Sequence, residues 1–239
     1  MSRLTNFLRK LRPGQGNARV LETFNLEQYG ARNLDAYDLT KPYRMLAPTE
    51  VRAMALGLPL FFWSDLPIRL LAQLKPGPYA EDKASLAEWW GINDAEEAHD
   101  ILHWLRLEGH RTEYQPRLKT ESLHWHRQFE ANPFLAKRPV TNIGGWDYVR
   151  LVCVARWCYD YGYLSWEQAW PFMDVGARLA LRDFDSWESL AASFMAGRLM
   201  WMPENPNHGK MAANLKVLVE SPTSPWRQIP WQPYPVPTA

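Results

Sequence analysis

The stretch GWDYVRLVCVARW, residues 145–157, decides the fold. Val149, Leu151, Val152, Cys153, Val154, Ala155 and Trp157 cover nearly every direction around a 3.6-residue turn. The pattern therefore predicts a helix from Trp146 to about Tyr161 with neighbours on all sides, and Gly162 ends it.

The flanks supply those neighbours. Ser165-Trp166-Glu167-Gln168 is a capping box, and the helix it starts carries Trp166, Trp170, Met173, Ala177 and Leu181 at steps of three and four. Ser186 caps another helix, with Trp187, Leu190, Phe194 and Trp201 on one face. Ala191, Ala192, Ala196 and Gly197 let a partner helix approach it closely. Residues 203–209 read as an exposed loop, and a last helix over 210–219 stops at Ser221-Pro222.

Upstream, Asn93 and Glu96 fit a capping box, and Gly109 closes the helix. Its apolar stripe is Ala98, Ile101, Leu102 and Leu105, with Trp104. Helices are also predicted over 119–130, over 81–90, from Thr49 to Pro59, and from Ser64 through Leu74. Phe61, Phe62 and Trp63 form an aromatic plug. No segment alternates with period two, so the chain reads as all-α, one compact domain of roughly eight to ten helices over 17–239.

Both ends differ from this body. Residues 1–16 form an arm and linker, with Leu4, Phe7, Leu8 and Leu11 on one face and Arg3, Arg9, Lys10 and Arg12 around it. Such a basic amphipathic segment either docks on its own domain or touches a membrane surface or partner through residues 3–12. From Pro225 to Pro237 the chain is proline-rich and is expected to be extended. Trp226 and Trp231 should pack back onto the core, because two free indoles would expose a sizeable apolar patch.

Composition narrows the function classes. Thirteen tryptophans in 239 residues imply a well-specified core. Lys plus Arg is 27 and Asp plus Glu is 26, which removes the simplest electrostatic case for nucleic-acid binding. No apolar run approaches the ~20 residues that a membrane span needs. Cys153 and Cys158 are five apart on one helix and point about 140° apart, so they cannot bridge each other. Buried reduced thiols suit the cytoplasm. The glycine-rich phosphate loops, the GxSxG elbow, HExxH and CxxC are absent, and no cofactor is expected.

Six ordered blocks form a recognisable series: WWGI at 89–92, LRLEGHR at 105–111, the 145–157 stretch, YGYLSWEQAW at 161–170, DSWESLAASFMAGRLMW at 185–201 and SPWRQIPW at 224–231. Over about residues 80–231 the chain resembles the bacterial family of unknown function that includes the enterobacterial YbeU and YbeR proteins. The resemblance implies a bacterial, soluble, all-α protein and carries over no catalytic residue.

Two constellations offer chemistry. His99 and His103, at i and i+4, leave one helix face, a spacing that can bind zinc, although no third ligand is compelling. The metal-free reading is a solvated helix face. Asp147 and Arg150 sit at i and i+3 on the most apolar helix. They are either a site acid with an anion-binding arginine or an ion pair that fixes how Trp146 docks. Arg198 is a candidate partner for Asp147. The leading expectation is a cytoplasmic protein-binding module, such as an immunity protein that neutralises a secreted toxin. The competing expectation is an enzyme or toxin effector with a polar cleft around Asp147, Arg150 and Arg198.

Overall fold

A computed structural model describes residues 44–63, 72–73 and 80–231. The basic arm with its membrane-contact stretch 3–12, the chain up to residue 43, and residues 232–239 of the tail lie outside the described residues.

The 145–157 stretch forms the central helix. To name it in chain order, the described elements are β1 (Arg44–Met45), α1 (Pro48–Leu56), α2 (Leu58–Trp63), β2 (Ala72–Gln73), α3 (Ala80–Trp90) and α4 (Ala95–Leu107). There follow α5 (Arg111–Thr120), α6 (Ser122–Ala131), α7 (Gly144–Asp160), α8 (Trp166–Asp183), α9 (Trp187–Trp201), α10 (His208–Glu220) and α11 (Pro225–Gln228). The protein is all-α: nine of these helices have nine residues or more.

Helix α7 is buried from Gly144 to Asp160 apart from Trp157, which is half-buried. It packs most extensively on α8, then on α9 and α4, with α1, α2 and α5 completing its surroundings. Its all-round apolar pattern conceals four charges. Asp147, Arg150, Arg156 and Asp160 are all buried within it. Burial on that scale requires pairing; Arg156 meets Asp160 at 2.8 Å, and Asp147 meets Arg150. Both thiols are buried and neither is in a disulfide among the described residues, and burial pushes Cys158 up to about 12.

Local signals set the helix starts. Ser165 and Ser186 cap α8 and α9 through capping boxes closed by Gln168 and Ser189. At α4 the cap is Asp94, one residue later than the Asn93–Glu96 reading. Asp94 accepts from Glu97 N at 2.9 Å, and the Glu97 carboxylate accepts from Asn93 N at 2.7 Å. A carboxylate at the cap also meets the positive end of the helix dipole. At Gly197 α9 lies close against α7, and any Cβ there would collide with the Trp146 side chain.

Four segments depart from the sequence reading. Helix α5 carries one buried residue, Tyr114, so it has no apolar stripe to read. Ala72–Gln73, read as part of a helix from Ser64, pairs antiparallel with Arg44–Met45; the rest of that helix lies outside the described residues. Two residues joined to a partner far along the chain leave no local period. His208 begins α10 instead of closing a loop, its Nε2 lying 2.8 Å from Met202 O. The tail is not extended throughout. Ser224 accepts from Trp226 N and donates to Leu218 O at 2.6 Å, which winds Pro225–Gln228 into one turn. That turn buries Trp226.

Candidate functional site

A buried charged knot supports one wall of the site. Gly109 takes φ +60° after α4, a left-handed conformation favourable to glycine. The chain then turns so that two successive backbone N–H groups face Asp147 on the first turn of α7. His110 N donates to Asp147 Oδ1 at 3.1 Å and Arg111 N donates to Oδ2 at 2.8 Å. Arg150 Nη2 adds a donor to Oδ1, and Arg111 Nη1 adds one to Oδ2 at 3.3 Å. Four donors meet the roughly four acceptor sites of a carboxylate. Arg111 also donates to the carbonyls of Leu105 and Arg106, tying down the end of α4.

Arg150 reaches from this knot to an aromatic surface. Its guanidinium centre lies 4.3 Å from the Trp146 ring centroid and 5.4 Å from that of Trp90. Burial pulls its pKa below the ordinary value, an effect that Asp147 opposes.

Beyond Arg150 opens a cleft of about 650 Å³. Tryptophans from five helices line it: Trp63 of α2, Trp89 and Trp90 of α3, Trp104 of α4, Trp146 and Trp157 of α7, and Trp201 of α9. Size and apolar walls both suit a ligand site. Trp89 is 65% exposed. Trp146 is buried, its ring lies tilted against Trp201 at 5.6 Å, and its indole N–H has no hydrogen-bond acceptor among the described residues.

Arg198 enters the cleft from α9. It is buried, and its Nε has no hydrogen-bond partner among the described residues. Its guanidinium lies 5.6 Å from the Trp63 ring centroid, and Lys210 Nζ lies 4.4 Å from the same ring. The suggested Arg198–Asp147 pair therefore does not form: the acceptor positions of Asp147 are occupied by the donors from Arg150, Arg111 and His110. Arg150 and Arg198 share the cleft, while Asp147 is sealed behind Arg150 with no exposed surface.

His99 and His103 lie elsewhere, on the face of α4 that meets α8. Their ring centroids are 6.3 Å apart, and both rings rest on Phe172. Among the described residues no three His, Cys, Asp or Glu side chains converge as a metal site would require.

His110 belongs to the site, although its place at a helix end already accounts for it in the sequence and gives it no site role there. It lines the cleft, stacks on Tyr114 with rings 4° from parallel, and meets Trp104 edge-on. The tryptophan cleft itself was also missed, although Trp89-Trp90 carried a clue. Adjacent residues on a helix point about 100° apart, so one apolar contact surface rarely covers both rings.

Burial lowers the pKa of His110 below 6.5, with Arg150 acting the same way and Asp147 and Glu113 opposing. Burial also lowers that of His208, with Arg198 adding to the shift and two backbone hydrogen bonds opposing it. Below pH 6.5 the unfolded chain takes up protons that the folded chain refuses. Stability is thus full above that pH and declines as pH falls through it towards the folded-state values. A lower Tm at pH 5.5 than at pH 7.5 is expected, and His110→Gln should reduce the difference. Equal Tm values would contradict this assignment.

No curated protein and no solved structure matches the chain. Residues 85–231 match the family model described as protein of unknown function, DUF1266. This span contains all the described cleft-lining residues except Leu60 and Trp63. It covers well over half of the 239 residues, and the protein belongs to the DUF1266 family.

Proposed function

We propose that this protein is a binding module that seats part of a partner protein in the tryptophan cleft. One observation carries the reading: seven tryptophans from five helices converge on an open cleft beside a buried arginine whose Nε has no partner among the described residues. Tryptophan and arginine are the side chains most enriched at the energetic centres of protein interfaces. Trp89 presents its ring to solvent at the cleft, ready to be covered.

The catalytic alternative placed an acid at Asp147. Its fully buried carboxylate accepts from two backbone N–H groups and two arginines. That is the coordination of a structural anchor, and a substrate proton has no lone pair to reach.

Kinship with YbeU and YbeR, a cytoplasmic location and an immunity role against a secreted toxin are narrower forms of the same proposal. The six sequence blocks support the kinship, and a rigid scaffold with a shaped recognition surface suits the immunity role. The test is affinity capture from cells that make the protein, using wild type, Trp89→Ala and Arg198→Met, each checked for an unchanged fold. The wild type should retain one stoichiometric partner that binds again when purified, and both variants should lose it. Equal retention by all three proteins, or no partner at all, would defeat the reading.

A further inference from the structure

We infer that the cleft recognises a chain segment in which an aromatic residue stands beside a carboxylate, the ring entering among the tryptophans and the carboxylate meeting Arg198. This inference rests on the binding reading and specifies the chemistry of the bound segment.

The charge argument comes first. A buried cation normally has an anionic partner, because an unpaired one has lost its hydration with nothing in return. Arg150 has such a partner in Asp147. Arg198 has no carboxylate within ion-pair distance among the described residues, and neither does Lys210. Both cations instead sit on one ring, that of Trp63. A cation–π contact offsets only part of the cost, and two cations sharing one ring repel each other. An incoming anion relieves both. One buried arginine with one exposed lysine suits a single carboxylate, which a guanidinium can grip with two parallel hydrogen bonds.

The donors also need acceptors. Arg198 Nε and the Trp146 indole N–H are buried, without a partner among the described residues, and on side chains that line the same cleft. An orphaned buried donor has lost its water without replacement, and a ligand oxygen would restore the bond.

The apolar part of the ligand follows from the walls. Trp90, Trp104 and Trp157 line the cleft, and an aromatic guest gains ring–ring attraction beyond area burial. A small free acid would fit inside and leave Trp89 in water. A chain that continues out of the cleft would cover it.

The test uses full-length protein and the peptide acetyl-Gly-Glu-Phe-Glu-Gly-amide, with calorimetry and indole N–H chemical shifts as readouts. Comparison ligands are the peptides with Lys in place of Glu, or Ala in place of Phe, and phenylacetate as a free aromatic acid. The acidic aromatic peptide should bind, shift the Trp146 indole resonance and weaken with added salt. Arg198→Met should reduce its affinity about tenfold or more. Lys210→Gln, at an exposed position, should reduce it by a smaller factor and leaves the inference testable if Arg198→Met fails to fold. Equal binding of the lysine peptide, or unchanged affinity in both variants, would overturn the assignment. Phenylacetate binding as tightly as the peptide would overturn the chain-segment part. If the peptide fails to bind while partner capture still depends on Trp89, the binding reading stands and the ligand chemistry proposed here is wrong.

Discussion

Replacing Asp147 with alanine is expected to destabilise the protein by about 3–5 kcal/mol, the usual cost of breaking a buried ion pair from one side. The carboxylate holds four donors from the α4–α5 turn and from α7. Its removal leaves Arg150 charged inside the protein and strands the N–H groups of His110 and Arg111. In a chain of this size each kcal/mol is worth about 2–4 °C, so Tm should fall on the order of 10 °C. Adding Arg150→Met to Asp147→Ala should recover part of the loss, because the second change removes the stranded charge. A thermal melt of the three proteins checks this. An Asp147→Ala protein that melts like wild type would show that the knot does not hold α4 against α7.

The second large effect is at the tail. Trp226→Ala should cost about 3–5 kcal/mol, as for other buried tryptophans. The Trp226 ring stacks on Trp187 at 5.2 Å, nearly parallel, and its indole N–H donates to Ala55 O on α1 at 2.8 Å. Trp187 in turn donates to Ile229 O at 2.8 Å and meets Trp231 edge-on at 4.7 Å. Trp231 donates to Phe184 O at 3.1 Å. One short segment therefore ties α1, the α8–α9 turn and the start of α9 together. Ending the chain after Ser221 should lower Tm at least as much as Trp226→Ala. A truncated protein that unfolds at the wild-type temperature would show that the tail contributes nothing to the fold.

What the sequence displayed depended on how local each cause is. The seventeen-residue α7 was legible because its apolar residues follow one another in the chain. The caps at Ser165 and Ser186 were legible because a serine and its partner three residues on satisfy the same helix end. Helix α5 was hidden because it buries Tyr114 alone. The β1–β2 pair was hidden because its two halves lie about thirty residues apart. At the site, Asp147 and Arg150 were visible as a pair one turn apart, but the donors that close the knot come from residues 110 and 111. The cleft was least visible of all. Tryptophan spacing marks the buried face of each helix, whereas a cleft exists only where five such faces fail to close on one another.

The central claim is that a partner is gripped at the tryptophan cleft. Site-specific photo-crosslinking tests it most directly, with benzoylphenylalanine at position 89 and, as a matched control, at position 123. Trp89 and Leu123 are about equally exposed, 65% and 63%, and line different hollows of the surface. Irradiation of cells should yield one discrete heavier product from position 89, lost when Arg198→Met is added, and none from position 123. A product from position 123 alone, or none from position 89, would contradict the account.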